Sequence, residues 1–332
     1  MRNHPTALPD LVKQHDLDVL CLQETKLQES HLDDPKLQIG GKLLHDEGYD
    51  AYYSCSTAKK GYAGTAVFVK RRQDQQEPQE QQQQQQQSQE KKQTTMQSFF
   101  GSKSKKSKKS TPAKKDSDSN KKRDPLPSSS TSTSLPVAAS VLVPENVSYG
   151  IKKKDHDQEG RTITVDFPLF SMTNVYVPNS GQKLERLDYR TEQWDKDFLA
   201  YHQAKAETKP TFWVGDLNVA HTHLEVWNDG AKHLAKQAGV TVQERESFQS
   251  MLDAGFVDAF RKLHPEAKGC YTYWSQRAGN RGPNKGLRLD YFVCDPSLFD
   301  DTKQVIVRDS YILYDVLGSD HCPVVMELQI KK

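Results

Sequence analysis

Residues 210–221 read Pro210-Thr211-Phe212-Trp213-Val214-Gly215-Asp216-Leu217-Asn218-Val219-Ala220-His221. Pro210 to Val214 is a short apolar, β-rich run, which predicts a buried strand. It delivers a carboxylate at Asp216 and an amide at Asn218 just past its end. Residues two apart on an extended backbone project to the same side, so the two groups are placed to act together. A carboxylate there can take a proton from water, and an amide beside it can donate to a phosphoryl oxygen. The plain alternative is an Asp-Asn turn after a strand, which is common.

Four further runs have the same form: Leu20-Cys21-Leu22-Gln23-Glu24-Thr25-Lys26, Tyr176-Val177-Pro178-Asn179, Arg288-Leu289-Asp290-Tyr291-Phe292 and Gly318-Ser319-Asp320-His321-Cys322-Pro323. Four of the five follow or close an apolar strand-like stretch, where a rigid sheet can hold polar groups in register. Glu24 suits Mg²⁺, which keeps most of its waters and takes few protein carboxylates. Alone it would pass for a solvated strand-end glutamate. His321 is the group most easily poised to donate to developing negative charge, with Asp290 the expected carboxylate on its other nitrogen. A lone histidine is more often a satisfied core or surface residue; its Ser-Asp-His-Cys-Pro setting argues otherwise. Tyr176 and Asn179 could bond phosphate oxygens, although a core tyrosine at a strand end is the competing reading. No Gly-x-x-x-x-Gly-Lys-Ser/Thr loop, Gly-x-Ser-x-Gly elbow or His-Glu-x-x-His run occurs. What remains is metal-assisted attack of water on a phosphodiester.

Working outward, short β-rich runs at Leu17–Leu22, Thr65–Val69, Arg161–Phe167, Ser171–Val177, Tyr271–Trp274, Leu287–Cys294, Gln304–Val307 and Val324–Ile330 predict strands, the third and fourth forming an antiparallel pair. Leu184, Leu187, Trp194, Phe198 and Tyr201 recur at helical spacing and predict one long amphipathic helix. Ser247–Phe260 reads as helix interrupted near Gly255. This mixture predicts an α/β fold of two packed mixed sheets flanked by helices, a four-layered sandwich.

Hydrophobic content over the 332 residues is 35%, low for a globular protein. The deficit is concentrated in residues 73–144, where glutamine, lysine–serine and serine–threonine–proline tracts cannot offset their ordering entropy, so this segment is expected to be disordered. Removing it leaves about 260 residues, suited to one domain in two parts, 1–72 and 145–332. A net charge of +2 and a pI near 8.1 prove no anionic partner. Five scattered cysteines without CxxC spacing argue against a disulfide framework or zinc site and favour a reducing compartment. No apolar run of about 18 residues predicts a membrane span, and the first residues do not read as a signal peptide.

Together with Gly61-Tyr62-Ala63-Gly64 and His156-Asp157-Gln158-Glu159-Gly160-Arg161, the five runs resemble the exonuclease III branch of the endonuclease/exonuclease/phosphatase superfamily, the class II AP endonucleases of base-excision repair. The likeness covers nearly everything outside the insert. It implies a DNase I-like fold and Mg²⁺-dependent cleavage (Mn²⁺ substituting) of DNA 5′ to abasic sites, with 3′-phosphodiesterase or 3′–5′ exonuclease side activity. It further implies a monomer that works in the nucleus. Glu24 would ligate the metal with Asp320 near it, and Asp216, Asn218 and His321 would border that ion. Asp216 would position the attacking water, Asn218 and Tyr176 would hold the phosphate, and His321, oriented by Asp290, would stabilise the transition state. Tyr62 and Arg161 would contact the DNA backbone, Asn179 the phosphate or the opened sugar site, and Tyr273, Leu287 and Leu289 would line the pocket for the flipped abasic sugar. This chain departs from the animal nuclear enzymes at Leu287, Gln182 and Arg277, where they carry an aromatic, an arginine and a methionine. The family also opens with a strand reading roughly Trp-Asn-x-Asn-Gly, and Arg2-Asn3 resembles its tail. A first strand and one site residue are therefore expected to be missing, as from a truncated gene model or downstream start. The alternatives are another phosphoesterase of the same fold, or a catalytically impaired scaffold that binds DNA and a sliding clamp.

Within the insert, residues 93–100 place Gln93, Met96, Phe99 and Phe100 in the pattern of a sliding-clamp (PCNA) binding box. One helical turn would bring Met96, Phe99 and Phe100 to one face. Chance within a low-complexity tract is the alternative. The lysines that follow suit nuclear import or DNA attraction, or are a solvated charge run.

Overall fold

The computed structural model describes residues 6–34, 42–72 and 141–331. The insert falls outside the described residues except for its last four positions, as do Gln93, Met96, Phe99 and Phe100. Val141 is buried against the core, so the packed domain already includes residues ahead of the boundary at 145.

Helix α1 (Ala7–His15) turns through Asp16, in the left-handed region at φ 47°, into β1 (Val19–Gln23). Strands β2 (Tyr49–Ser54) and β3 (Thr65–Lys70) complete an antiparallel ladder in the order β1-β3-β2. Then come β4 (Asn146–Tyr149), β5 (Thr162–Asp166), β6 (Ser171–Tyr176), α2 (Asp195–Ala206), β7 (Thr211–Asp216), α3 (Val242–Asp253), β8 (Val257–Asp258), α4 (Ala259–Leu263) and β9 (Asp290–Cys294). Their strands form one six-stranded sheet, β4-β5-β6-β7-β9-β8, in which only β6 and β7 run parallel. The chain ends in an antiparallel pair, β10 (Val305–Ile312) with β11 (Val324–Ile330).

Side-chain alternation with period two builds the layers. Ile163, Val165, Met172, Phe212 and Val214 face Val67, Val69, Val305 and Val307 between the sheets. The opposite face of the large sheet presents Val175, Trp213, Tyr291 and Val293 to Trp194, Phe198, Phe248 and Met251 of the helical layer. On the far side, Leu11 and Val12 of α1 cover Leu20, Ala66 and Phe68. The order helix, sheet, sheet, helix is the predicted four-layered α/β sandwich. The second sheet layer differs from expectation in being two antiparallel ladders rather than one mixed sheet. β1 packs over β6 and β7, and β11 over β9, so the two ladders end on neighbouring strands of the large sheet.

Other local expectations also change. Leu184 lies in a turn at φ 59°, and the helix expected from it begins at a π-helical segment, Tyr189–Trp194, which runs into α2. The Ser247–Phe260 segment divides into α3, β8 and α4, because Gly255 at φ 106° leaves helical geometry. Tyr271–Trp274 makes only isolated bridges, from Tyr273 to Leu287 and to His321.

Candidate active site

Asp216 closes β7 and pairs across the sheet with Asp290, which opens β9, while Tyr176 ends the parallel neighbour β6 opposite Asp216. Three strand ends thus meet at one edge. Gly215 permits it: a Cβ there would stand 1.9 Å from the Val175 carbonyl oxygen. Beyond the edge the backbone turns at once. Asn218 is left-handed at φ 49°, and its N–H donates to Asp216 Oδ1 at 2.8 Å. The extended geometry expected for this pair is therefore replaced by a carboxylate-capped turn. The Asn218 amide donates to the Val177 carbonyl at 2.9 Å and accepts from Asn179 Nδ2 at 2.7 Å. Asn179 in turn accepts from the Gly181 N–H.

His321 lies between two carboxylates. Its Nδ1 is 2.8 Å from Asp290 Oδ2 and its Nε2 is 4.0 Å from Asp216 Oδ2. Burial works to lower its pKa, but the charge and hydrogen bond of Asp290, then Asp216 and Asp320, outweigh it and push the imidazole up to about 10. Asp216 moves the other way from most carboxylates. Burial first, and the nearby Asp290 charge, raise it to about 7 against the opposing pull of His321. An imidazolium held by one carboxylate and facing a second, weakly basic one can donate to an anion and accept a proton from water.

Glu24, just beyond β1, adopts φ 53° and accepts a hydrogen bond from Tyr176 Oη at 3.0 Å. Lys26 Nζ is 3.5 Å from the same oxygen, and the carboxylate remains 47% exposed. Burial, Asp216 and Glu24 all raise the Tyr176 phenol, which stays protonated and a donor. Asp320 is half-buried; its backbone carbonyl accepts from the Trp274 N–H at 2.9 Å. Among the described residues no group of three His, Cys, Asp or Glu side chains is gathered to hold a metal. A lone carboxylate with open coordination fits an oxygen-seeking, well-hydrated divalent ion and not a caged zinc.

The outer residues are arranged differently from expectation. Arg161, expected to face the DNA backbone, is 2% exposed. Its three nitrogens are occupied by Glu159 (2.6 Å), the Tyr176 carbonyl (2.9 Å) and Tyr62 Oη (2.8 Å). It is a strut beneath Tyr62, whose hydroxyl also accepts from Arg186. Leu287 and Leu289, expected to line a sugar pocket, are buried with Ala220, Val226, Leu234 and Val240. Half-buried Tyr273 stands between that cluster and His321, its ring centroid 5.1 Å from the imidazole.

Sequence reasoning missed the groups that hold this edge. Buried Arg190 donates to the carbonyls of Leu217 and Asn218, both at 2.6 Å, and pairs with Glu244 and Asp195. Fully buried Asn174 donates to Leu22 and Ala66 carbonyls and accepts from Gln23, stitching β1 and β3 to β6. For Asn174 the signal was a polar residue inside a β-rich run; Arg190, in the polar stretch 188–193, offered none.

The sequence and the fold have counterparts among known proteins. Residues 1–97 and 104–321 match the Endonuclease/Exonuclease/phosphatase family. The chain is 35% identical over 319 residues to an exodeoxyribonuclease of Bacillus subtilis (strain 168), spanning 96% of this chain and 91% of that protein. It is 44% identical over 182 residues to a DNA-(apurinic or apyrimidinic site) endonuclease of Dictyostelium discoideum, 54% of this chain and 49% of that one. The fold is similar to that of the AP endonuclease LMAP from Leishmania major, with TM-score 0.70, 25% identity, and coverage of 100% of this chain and 84% of that one. The chain belongs to the Endonuclease/Exonuclease/phosphatase family.

Proposed function

We propose that the protein is a divalent-metal-dependent DNA endonuclease that hydrolyses the phosphodiester 5′ to an abasic site, with 3′-phosphodiesterase or exonuclease activity on blocked ends. The observation that carries this reading is the Asp290–His321–Asp216 arrangement at one sheet edge, beside Asn218, Tyr176 and Glu24. Its activity names are those of similar proteins, a DNA-(apurinic or apyrimidinic site) endonuclease and an exodeoxyribonuclease.

Asp216, with its pKa raised to about 7, accepts a proton from the attacking water. The water oxygen bonds to phosphorus and the P–O3′ bond breaks, the departing O3′ taking a proton from solvent, which leaves a 3′-hydroxyl and a 5′-phosphate on the abasic sugar. His321, kept protonated by Asp290, donates to the phosphoryl oxygen as charge develops on it. Tyr176 and Asn218 hold the remaining phosphate oxygens, and Asn179 steadies the Asn218 amide. Glu24, with Asp320, would hold Mg²⁺ or Mn²⁺, which when bound supplies charge neutralisation at the phosphate. Tyr62 offers its hydroxyl to the DNA backbone, with Arg161 fixing it from below. We read the enzyme as a monomer of the nucleus, with residues 93–100 as a clamp-binding segment.

Cleavage of an oligonucleotide bearing one tetrahydrofuran abasic analogue, compared with release of phosphate from inositol phosphates, tests the substrate class. A 5′-side incision requiring Mg²⁺ is expected. Turnover of the inositol phosphate alone would replace this reading with that of a small-molecule phosphatase.

A further inference from the structure

We propose that Trp227 and Lys285 form a platform on which a nucleobase stacks beside the reaction centre. The proposal rests on the DNA-endonuclease reading and adds a base contact to a site otherwise built for phosphate. Of the four tryptophans, Trp194, Trp213 and Trp274 are 0–3% exposed, while Trp227 is 44% exposed. A single exposed apolar residue is ordinary on a surface. This one is held rigidly. Its backbone N–H donates to the Gly286 carbonyl at 3.2 Å, and the preceding Val226 bridges Leu287 inside an apolar cluster. Gly286 is itself constrained, since a Cβ would stand 2.6 Å from both Trp274 Nε1 and Tyr271 Cβ. That close approach fixes the backbone that carries Lys285, whose Nζ lies 5.1 Å from the Trp227 ring centroid.

The platform's place follows from backbone bridges. Val226 bridges Leu287, Leu287 bridges Tyr273, and Tyr273 bridges His321. Three rungs of about 5 Å put the backbone beside Trp227, at Val226, roughly 15 Å from the His321 backbone. At about 3.4 Å of rise per nucleotide, that is about four nucleotides along a duplex strand. Lys232 and Lys236, further along the loop that carries Trp227, are exposed, as is Lys285, whose ammonium lies over the ring, so the cations of this surface suit a phosphate backbone. Asp229, the acidic side chain of this loop, is paired with Arg245. An aromatic face with a cation beside it suits every base, so the contact strengthens grip without reading sequence.

The full chain in EDTA with a duplex carrying a tetrahydrofuran abasic site provides the test, since Trp227 is the solvent-accessible fluorophore. Binding followed by anisotropy should remove the iodide-quenchable tryptophan emission, and Trp227→Phe should lack that emission from the start. Trp227→Ala should raise KM about tenfold with kcat within about twofold of wild type, and Trp227→Phe should restore most of the loss. A duplex that binds while iodide still quenches fully, or a Trp227→Ala enzyme with wild-type KM, overturns the platform alone. Failure of the duplex to bind at all overturns the endonuclease reading, and the platform with it.

Discussion

His321 illustrates how single residues acquire their properties from their neighbours. Asp290 sets its orientation and its charge through the 2.8 Å contact at Nδ1. Asp290→Asn should therefore lower kcat on the order of 10²-fold or more, while binding of abasic DNA in EDTA changes little. Much of this pairing was legible in the sequence, because aspartate and histidine flank strands at recognisable spacings. His202 was not. It is fully buried between Phe198 and Trp213, stacked on the latter at 4.6 Å, and burial lowers its pKa to about 3, with Lys205 adding to the effect. The unfolded chain takes up this proton below about 6.5 and the folded one does not until about 3. Stability is thus lost as pH falls through that window, by about 1.4 kcal/mol per unit. His202→Phe should remove this slope, so that urea unfolding at pH 5.0 and 7.5 shows the variant gaining about 2 kcal/mol on wild type at the lower pH. Equal slopes would contradict the assignment.

At the scale of elements, two polar clamps hold the loops that carry the chemistry. Asn174 ties β1 and β3 to β6, and replacing it with leucine strands two carbonyls and Gln23 in the interior. Asn174→Leu should lose about 2–4 kcal/mol of stability in denaturant unfolding. Arg281 donates to the carbonyls of Tyr314, Val316 and Ser319 while its guanidinium packs on Trp274, and so braces the loop ending in Asp320 and His321. Arg281→Ala should speed hydrogen exchange across residues 314–321 and lower kcat. Arg281→Lys should not rescue it, because an ammonium lacks the planar fork. Strands with an apolar run, such as β7, or with apolar–polar alternation, such as β11, were readable in advance. The elements missed include α1, the polar-faced β2 and β4, while α2 was expected but its π-helical entry was not. Loop clamps were invisible for a simpler reason, since arginine at 190 or 281 looks like any surface arginine until its carbonyl partners are brought near.

For the whole molecule, the layers explain why chemistry gathers at one edge. β6, β7 and β9 end together, and β1 delivers Glu24 from the opposing sheet to the same place. The two ladders of the second layer leave an edge of β1 and an edge of β11 unpaired among the described residues. Amides on the open side of β1 should exchange faster than those of β3, which is paired on both sides. Residues 73–140, over half of which are glutamine, serine, lysine or threonine, lie outside the described residues. The central claim is that Asp216 and His321 perform hydrolysis of an abasic-site phosphodiester. Single-turnover cleavage of tetrahydrofuran-containing duplex in Mg²⁺ by wild type, Asp216→Asn and His321→Ala tests it most directly. Incision 5′ to the lesion is expected, slowed on the order of 10²–10⁴-fold in each variant with DNA affinity retained. Near-wild-type rates in both variants would contradict it.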